Sequence, residues 1–177
     1  MIVIENIDKL DNSLKEACIA IGNFDGIHQG HKSLIEETIV VSKKKNLVPT
    51  ILTFNPMPEE HFNSNEFFRL MDMSDKYQAL QSFGIEQVIT IPFDKKFSEI
   101  TKDLFIENIL INKLMAKHLV VGRDFKFGNK RLGDVNLLKL YRDKGLFDVS
   151  ILDLVTVSAE KVSSRDIRKL INTGSVR

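Results

Sequence analysis

Two histidines three residues apart, His28 and His31, stand in the run Gly22-Asn-Phe-Asp-Gly-Ile-His-Gln-Gly-His31. The run leaves a short apolar stretch and enters a helical pattern. A helix N-terminus exposes unpaired N–H groups and a partial positive charge, so it is already an anion site, and two imidazoles add donors to it. Donors placed there can stabilise charge developing on a nucleotide's α-phosphate and its departing pyrophosphate, and no side-chain nucleophile is required. Gly30, between the histidines, removes a Cβ where backbone must approach a phosphate. Taken singly, each histidine reads as a helix cap or a packing residue; the pair in this loop points to phosphate chemistry. Zinc is the other use of paired histidines, but it commonly takes i, i+4 spacing on a helix with a third ligand. Here the spacing is i, i+3 across a loop–helix junction, so no protein-built metal site is expected. His61 and His118 read as surface or strand-end residues.

The elements that position this loop follow from periodicity. Residues 17–21 form a continuous apolar run, the pattern of a strand buried on both faces in a parallel sheet. From Gly30 the positions Leu34, Ile35, Thr38, Ile39 and Val41 recur at helical spacing up to Ser42-Lys-Lys-Lys-Asn46, a basic tail suited to a helix C-terminus. The alternation repeats: strands over 48–54, 86–91, 118–121 and 147–152, and helices over 74–83, 101–114, 134–144 and 163–172. Pro49 delays the second ladder to about Thr50, Ser74 is the expected N-cap of its helix and Gly84 its stop. Leu104, Phe105, Ile109 and Ile111 are expected to face a core. The pattern predicts an α/β fold, Rossmann-like, with a doubly wound, mainly parallel sheet of about five strands in one domain spanning 1–177. Ligands in such folds sit beyond the carboxyl ends of the strands, which selects the loops 22–30, 54–65 and 122–133.

Composition narrows the field. Apolar residues make up 43% and charged residues 28% of 177, so the chain should fold. With 25 basic and 24 acidic residues the net charge is +1, and no general field favours nucleic acid or an anionic membrane. Cys18 is the single cysteine, which excludes an internal disulfide framework and suits a reducing compartment. The start carries no basic segment followed by an apolar core, and no stretch of about 18 apolar residues occurs, so a cytoplasmic protein is expected.

Four segments occur in order: Gly22 to His31, Phe54-Asn-Pro-Met-Pro58, Val121-Gly-Arg-Asp-Phe-Lys-Phe-Gly128 and Val162-Ser-Ser-Arg-Asp-Ile-Arg168. The His28-x-Gly-His31 element resembles the signature of the nucleotidyltransferase superfamily. The set together resembles the FMN adenylyltransferase (FAD synthetase) half of the bacterial bifunctional riboflavin kinase/FAD synthetases, from about Ala17 onward. That resemblance implies attack of the FMN phosphate on the α-phosphorus of ATP, with Mg²⁺ accompanying ATP, giving FAD and pyrophosphate. It also implies roles. His28 and His31 hold the ATP phosphates within the loop that includes Gly22, Phe24, Gly26 and Gly30, and Asp124 reaches the reacting phosphates. Ser163, Ser164 and Arg168 form a second phosphate-binding element, while Phe62 and Phe127 flank the flavin. The family continues after a segment like 171–177 into a β-barrel riboflavin kinase domain, so a separate kinase domain or protein is the implied partner.

Two positions depart from the family's pattern. Arg165 stands where a threonine is usual, and Met57 where a histidine is usual in the Phe-x-Pro-His-Pro stretch. A nucleotidyltransferase with another phosphate-bearing acceptor, or a flavin- and ATP-binding regulator with impaired catalysis, are the competing readings. A nucleic-acid binder lacks its basic stripe with interleaved aromatics.

Overall fold

Ala17–Ile21 (β2) is buried along its whole length, because it runs through the middle of a six-stranded sheet. The structure is a computed structural model describing residues 1–7, 16–63, 67–153, 156–157, 160–161 and 164–173. Ser163 lies outside the described residues, as does the side chain of Arg165. The strands are β1 (Ile2–Ile4), β2, β3 (Val48–Phe54), β4 (Gln87–Ile91), β5 (Ala116–Gly122) and β8 (Asp148–Leu152), in the order β1-β4-β3-β2-β5-β8. Every pairing is parallel. Two ribbons lie beside this sheet: β6 (Lys126–Phe127) with β7 (Gly133–Asp134), and β9 (Thr156–Val157) with β10 (Glu160–Lys161). The sheet therefore has six strands rather than about five, the addition being β1 along β4. From β2 the chain runs outward through β3 and β4 on one side and through β5 and β8 on the other, with β1 added at the edge beside β4, so the switch point lies between the carboxyl ends of β2 and β5.

Side chains alternate across β2 and divide the core in two. Ile19 and Ile21 face a cluster with Phe105, Ile106, Ile109, Leu110, Leu138 and Tyr141, whereas Cys18 and Ala20 face Ile35, Val41, Leu80 and Val88. The first layer is supplied by α5 (Lys102–Leu104), its continuation as a π-helix over Phe105–Lys113, and α6 (Val135–Asp143); the second by α1 (Gln29–Lys45) and α3 (Met73–Ser82). Short helices α2 (Pro58–Phe62) and α4 (Lys95–Ser98) and the last helix α7 (Ser164–Asn172) complete the described elements.

Helix ends follow their chemistry. α1 stops at Asn46, left-handed at φ 54°, after Lys43, Lys44 and Lys45 in its last turn. Asp72, not Ser74, caps α3, its carboxylate accepting from Asp75 N–H at 2.8 Å. Thr101 caps α5 by accepting from Leu104 N–H at 3.2 Å. Pro49 lies in β3 beside Cys18, and pairing with β4 begins only at Thr50, where a backbone donor returns. Leu104 is exposed, since the π-helix begins one residue later and turns Phe105 inward. His118 is not a strand-end residue: it is 7% exposed within β5, and its Nε2 lies 2.9 Å from Ser150 Oγ, which donates to Glu37 Oε1 at 2.8 Å.

Candidate active site

β2 ends at Ile21, and the chain must turn sharply to start α1. It does so through left-handed residues that only glycine adopts without strain: Gly26 at φ 75°, but also Phe24 at 50° and Ile27 at 37°. A β-branched residue there is held by its surroundings, and the surroundings are specific. Phe24 is fully buried, its ring centroid 5.0 Å from that of His31. It supports the histidine from below and does not line the cavity, and neither does Gly26, whose Cα packs on Leu70. His28 occupies the N-cap position of α1, with extended backbone. One turn into the helix, His31 stacks on it, the rings 3.7 Å apart between centroids and 21° from parallel.

Burial lowers the His31 pKa to about 3, with the neighbouring His28 and then Lys76 adding to the effect. His31 is therefore a neutral imidazole at ordinary pH, a hydrogen-bond donor rather than a cation. Its Nδ1 is buried with no hydrogen-bond partner among the described residues, which is costly in a finished interior and natural in a binding site.

A cavity of about 1050 Å³ opens above this pair. Its floor is Gly22, Asn23, Gly30 and both histidines; Asp124 and Lys126 to Gly128 enter from the loop after β5, and Ser164 and Arg168 from α7. The loops after β2 and β5 meet at the switch point. Seven phenylalanines also line it: Phe54, Phe62, Phe93, Phe97, Phe105, Phe125 and Phe127. Phe62 is 65% exposed at the rim, edge-on to Phe93 at 5.9 Å. Phe127 is 6% exposed, stacked on Phe125 and packed so closely over Gly133 that a Cβ there would lie 2.5 Å from the ring.

Among the described residues no group of three or more His, Cys, Asp or Glu is arranged to hold a metal ion. Ser164 lines the cavity, but its hydroxyl donates to the Asp25 carbonyl at 2.7 Å. Arg168 is 9% exposed and paired with Asp25 and Glu59. The structure thus brings together His28, His31, Gly22, Gly30, Asp124, Ser164, Arg168, Phe62 and Phe127 around one cavity, and leaves Phe24 and Gly26 beneath it.

Two charged residues under the loop were not anticipated. Asp25 is fully buried, and Lys76, 1% exposed, donates its ammonium to the Asn23 carbonyl at 2.8 Å. Leaving such a buried cation or carboxylate without its partner costs about 3–5 kcal/mol. Lys76 had a legible signal: Met73, Lys76, Tyr77 and Leu80 sit at i, i+3, i+4 and i+7, which puts a lysine on the apolar face of α3.

The FAD synthetase family model matches residues 10–166. The chain belongs to the FAD synthetase family. Its relatives include the bifunctional riboflavin kinase/FMN adenylyltransferases of Buchnera aphidicola subsp. Schizaphis graminum, 36% identical over 95% of this chain, and of Escherichia coli K12, 32% identical over 97%. The chain spans about half the length of these relatives, 54% and 55%. Among solved structures, a macrolide-efflux protein from Streptococcus pneumoniae superposes with a TM-score of 0.84 and 27% identity, covering 97% of this chain and 57% of that one. Pantothenate synthetase from Thermus thermophilus, at 16% identity and TM-score 0.58, covers 94% of this chain and 67% of that one and shares the fold of this FAD synthetase family member.

Proposed function

We propose that this domain transfers AMP from ATP to FMN, releasing pyrophosphate and forming FAD. The observation that carries the reading is the stacked His28–His31 pair at the N-terminus of α1, facing Asp124 across the switch point, under a cavity with an aromatic wall. Membership of the FAD synthetase family and its similarity to bifunctional riboflavin kinase/FMN adenylyltransferases support the same acceptor.

An oxygen of the FMN phosphate attacks the α-phosphorus of ATP, and the bond from that phosphorus to the α,β-bridging oxygen breaks. The attacking phosphate is already ionised, so no base is needed, and catalysis rests on positioning and on stabilising charge. His28, His31 and the first N–H groups of α1 face the phosphate oxygens as that charge grows. A neutral His31 offers its N–H to those oxygens. Mg²⁺ would arrive with ATP, held by the substrate phosphates and the Asp124 carboxylate, and would neutralise triphosphate charge. Phe62 and Phe127 belong to the aromatic wall proposed to face the flavin ring, where flat surfaces stack. The proposed place of work is the cytoplasm, and any kinase step belongs to a separate domain or protein.

The test is a steady-state assay with ATP, Mg²⁺ and FMN, riboflavin or buffer alone, the flavins separated chromatographically. FAD formed from FMN, with pyrophosphate release dependent on FMN, supports the proposal. ATP binding without FAD from FMN refutes it.

A further inference from the structure

Asp25 lies inside the loop proposed to bind phosphate, three residues before His28, at the wall of the cavity and fully buried. Its carboxylate accepts the backbone N–H of Leu70 at 3.1 Å, that of Met71 at 3.2 Å, and the Nη2 of Arg168. Its carbonyl accepts the Ser164 hydroxyl. Two segments far off in sequence, 70–71 and the start of α7, are therefore tied to one loop residue.

Arg168 is the other half of this knot. Its Nε donates to the Phe68 carbonyl at 2.8 Å, its Nη1 to Glu59 Oε2 at 3.3 Å, and its Nη2 to Asp25. The guanidinium carbon lies 4.2 Å from the centre of the Phe67 ring. A planar fork suits phosphate oxygens, but here each of the three nitrogens already has a protein acceptor. These bonds use one N–H on each nitrogen, and turning the fork itself onto a phosphate would abandon Asp25, stranding a fully buried carboxylate.

We infer that Arg168 is a positioning residue that, through Asp25, docks α7 and its Ser164 onto the His28–His31 loop, so that the two phosphate-binding elements act as one rigid unit. The inference rests on the proposed ATP site. Bound ATP meets a loop held from behind, and the ion pair stays closed through turnover.

The test is a double-mutant cycle of Asp25→Asn and Arg168→Gln with two readouts. In the ligand-free protein, the amides of Leu70 and Met71 should exchange about tenfold or more faster in either single variant, and no faster still in the double. In FAD synthesis, KM for ATP should rise about tenfold or more in each single variant and by the same factor in the double, with kcat changed less than about threefold. Arg168→Lys keeps the charge and loses the fork: a positioning residue loses Leu70 and Met71 protection here too, and this milder variant carries the test if the others fail to fold. Unchanged protection of those two amides, or multiplicative losses dominated by kcat in Arg168→Gln, would overturn the inference and make Arg168 a phosphate ligand. A wild-type protein that made no FAD would refute the proposed function while leaving the exchange arm to decide the Asp25–Arg168 link.

Discussion

The rings of His28 and His31 lie face to face, 3.7 Å between centroids, with Phe24 fixed against the second of them. Stacking two imidazoles this closely disfavours protonating both, and burial already holds His31 neutral, with a pKa of about 3. The pair therefore offers directed N–H donors rather than bulk positive charge. His31→Ala should lower kcat for FAD formation by about 10²-fold or more, the size of a lost donor at developing charge. Urea unfolding should stay cooperative. Near-normal turnover would remove His31 from the reaction.

Phe62 and Phe127 make different predictions although both line the cavity. Phe62 is an exposed rim residue, so Phe62→Ala should raise KM for FMN more than KM for ATP at nearly unchanged stability. Phe127 is buried against Phe105, Phe125 and Gly133. Phe127→Ala should cost about 3–5 kcal/mol in unfolding free energy, a core truncation, whatever it does to FMN. Equal stability losses for the two variants would contradict this division.

The sequence made the repeating βα units legible because apolar runs, alternation and caps are local. It also made the cavity's floor legible, since a strand, a glycine-flanked loop and a helix start are contiguous. What escaped was non-local or unconventional. β1 is three residues long with Ile2 and Val3 facing solvent in part, and only its pairing with β4 makes it a strand. The segment 54–65 read as loop, although Pro58 in the first turn followed by Glu59 and Glu60 is a helix start, and Glu60 accepts the Met57 N–H to close it. The π-turn over 105–113 has no local sequence signature distinct from an α-helix. The link between Asp25 and Arg168 spans 143 positions, and nothing in the pattern around either residue indicates the other.

Gly26 and Gly145 share φ 75° and differ in what surrounds them. A Cβ on Gly26 would lie 2.9 Å from Leu70 Cδ1, and Leu70 is held by Asp25; at Gly145 nothing lies within 4 Å. Gly145→Ala should cost about 1 kcal/mol from backbone strain alone, and Gly26→Ala about 1–3 kcal/mol more from the added clash. Denaturant titration of the two variants measures the difference. Equal costs would mean that Leu70 yields freely and the loop is not braced there.

Lys76 gives stability a pH dependence with a definite sign. Burial lowers its ammonium from the ordinary 10.5 to about 8, against the opposing pull of Asp25. Between those values the unfolded chain binds the proton and the folded chain does not, so stability rises with pH across the window. Below about 8 both states are protonated and this dependence ends. Lys76→Met removes the titration, so the unfolding free energy of wild type minus that of the variant should be flat from about pH 6 to 8 and climb from about 8 to 10.5, by up to about 1.4 kcal/mol per pH unit. Urea unfolding of both proteins at matched pH measures it, and the other titrating groups cancel in the difference. A difference that stays level above pH 8 would show that Lys76 is hydrated under the loop that follows β2, and that the Asn23 carbonyl is not fixed by a buried cation.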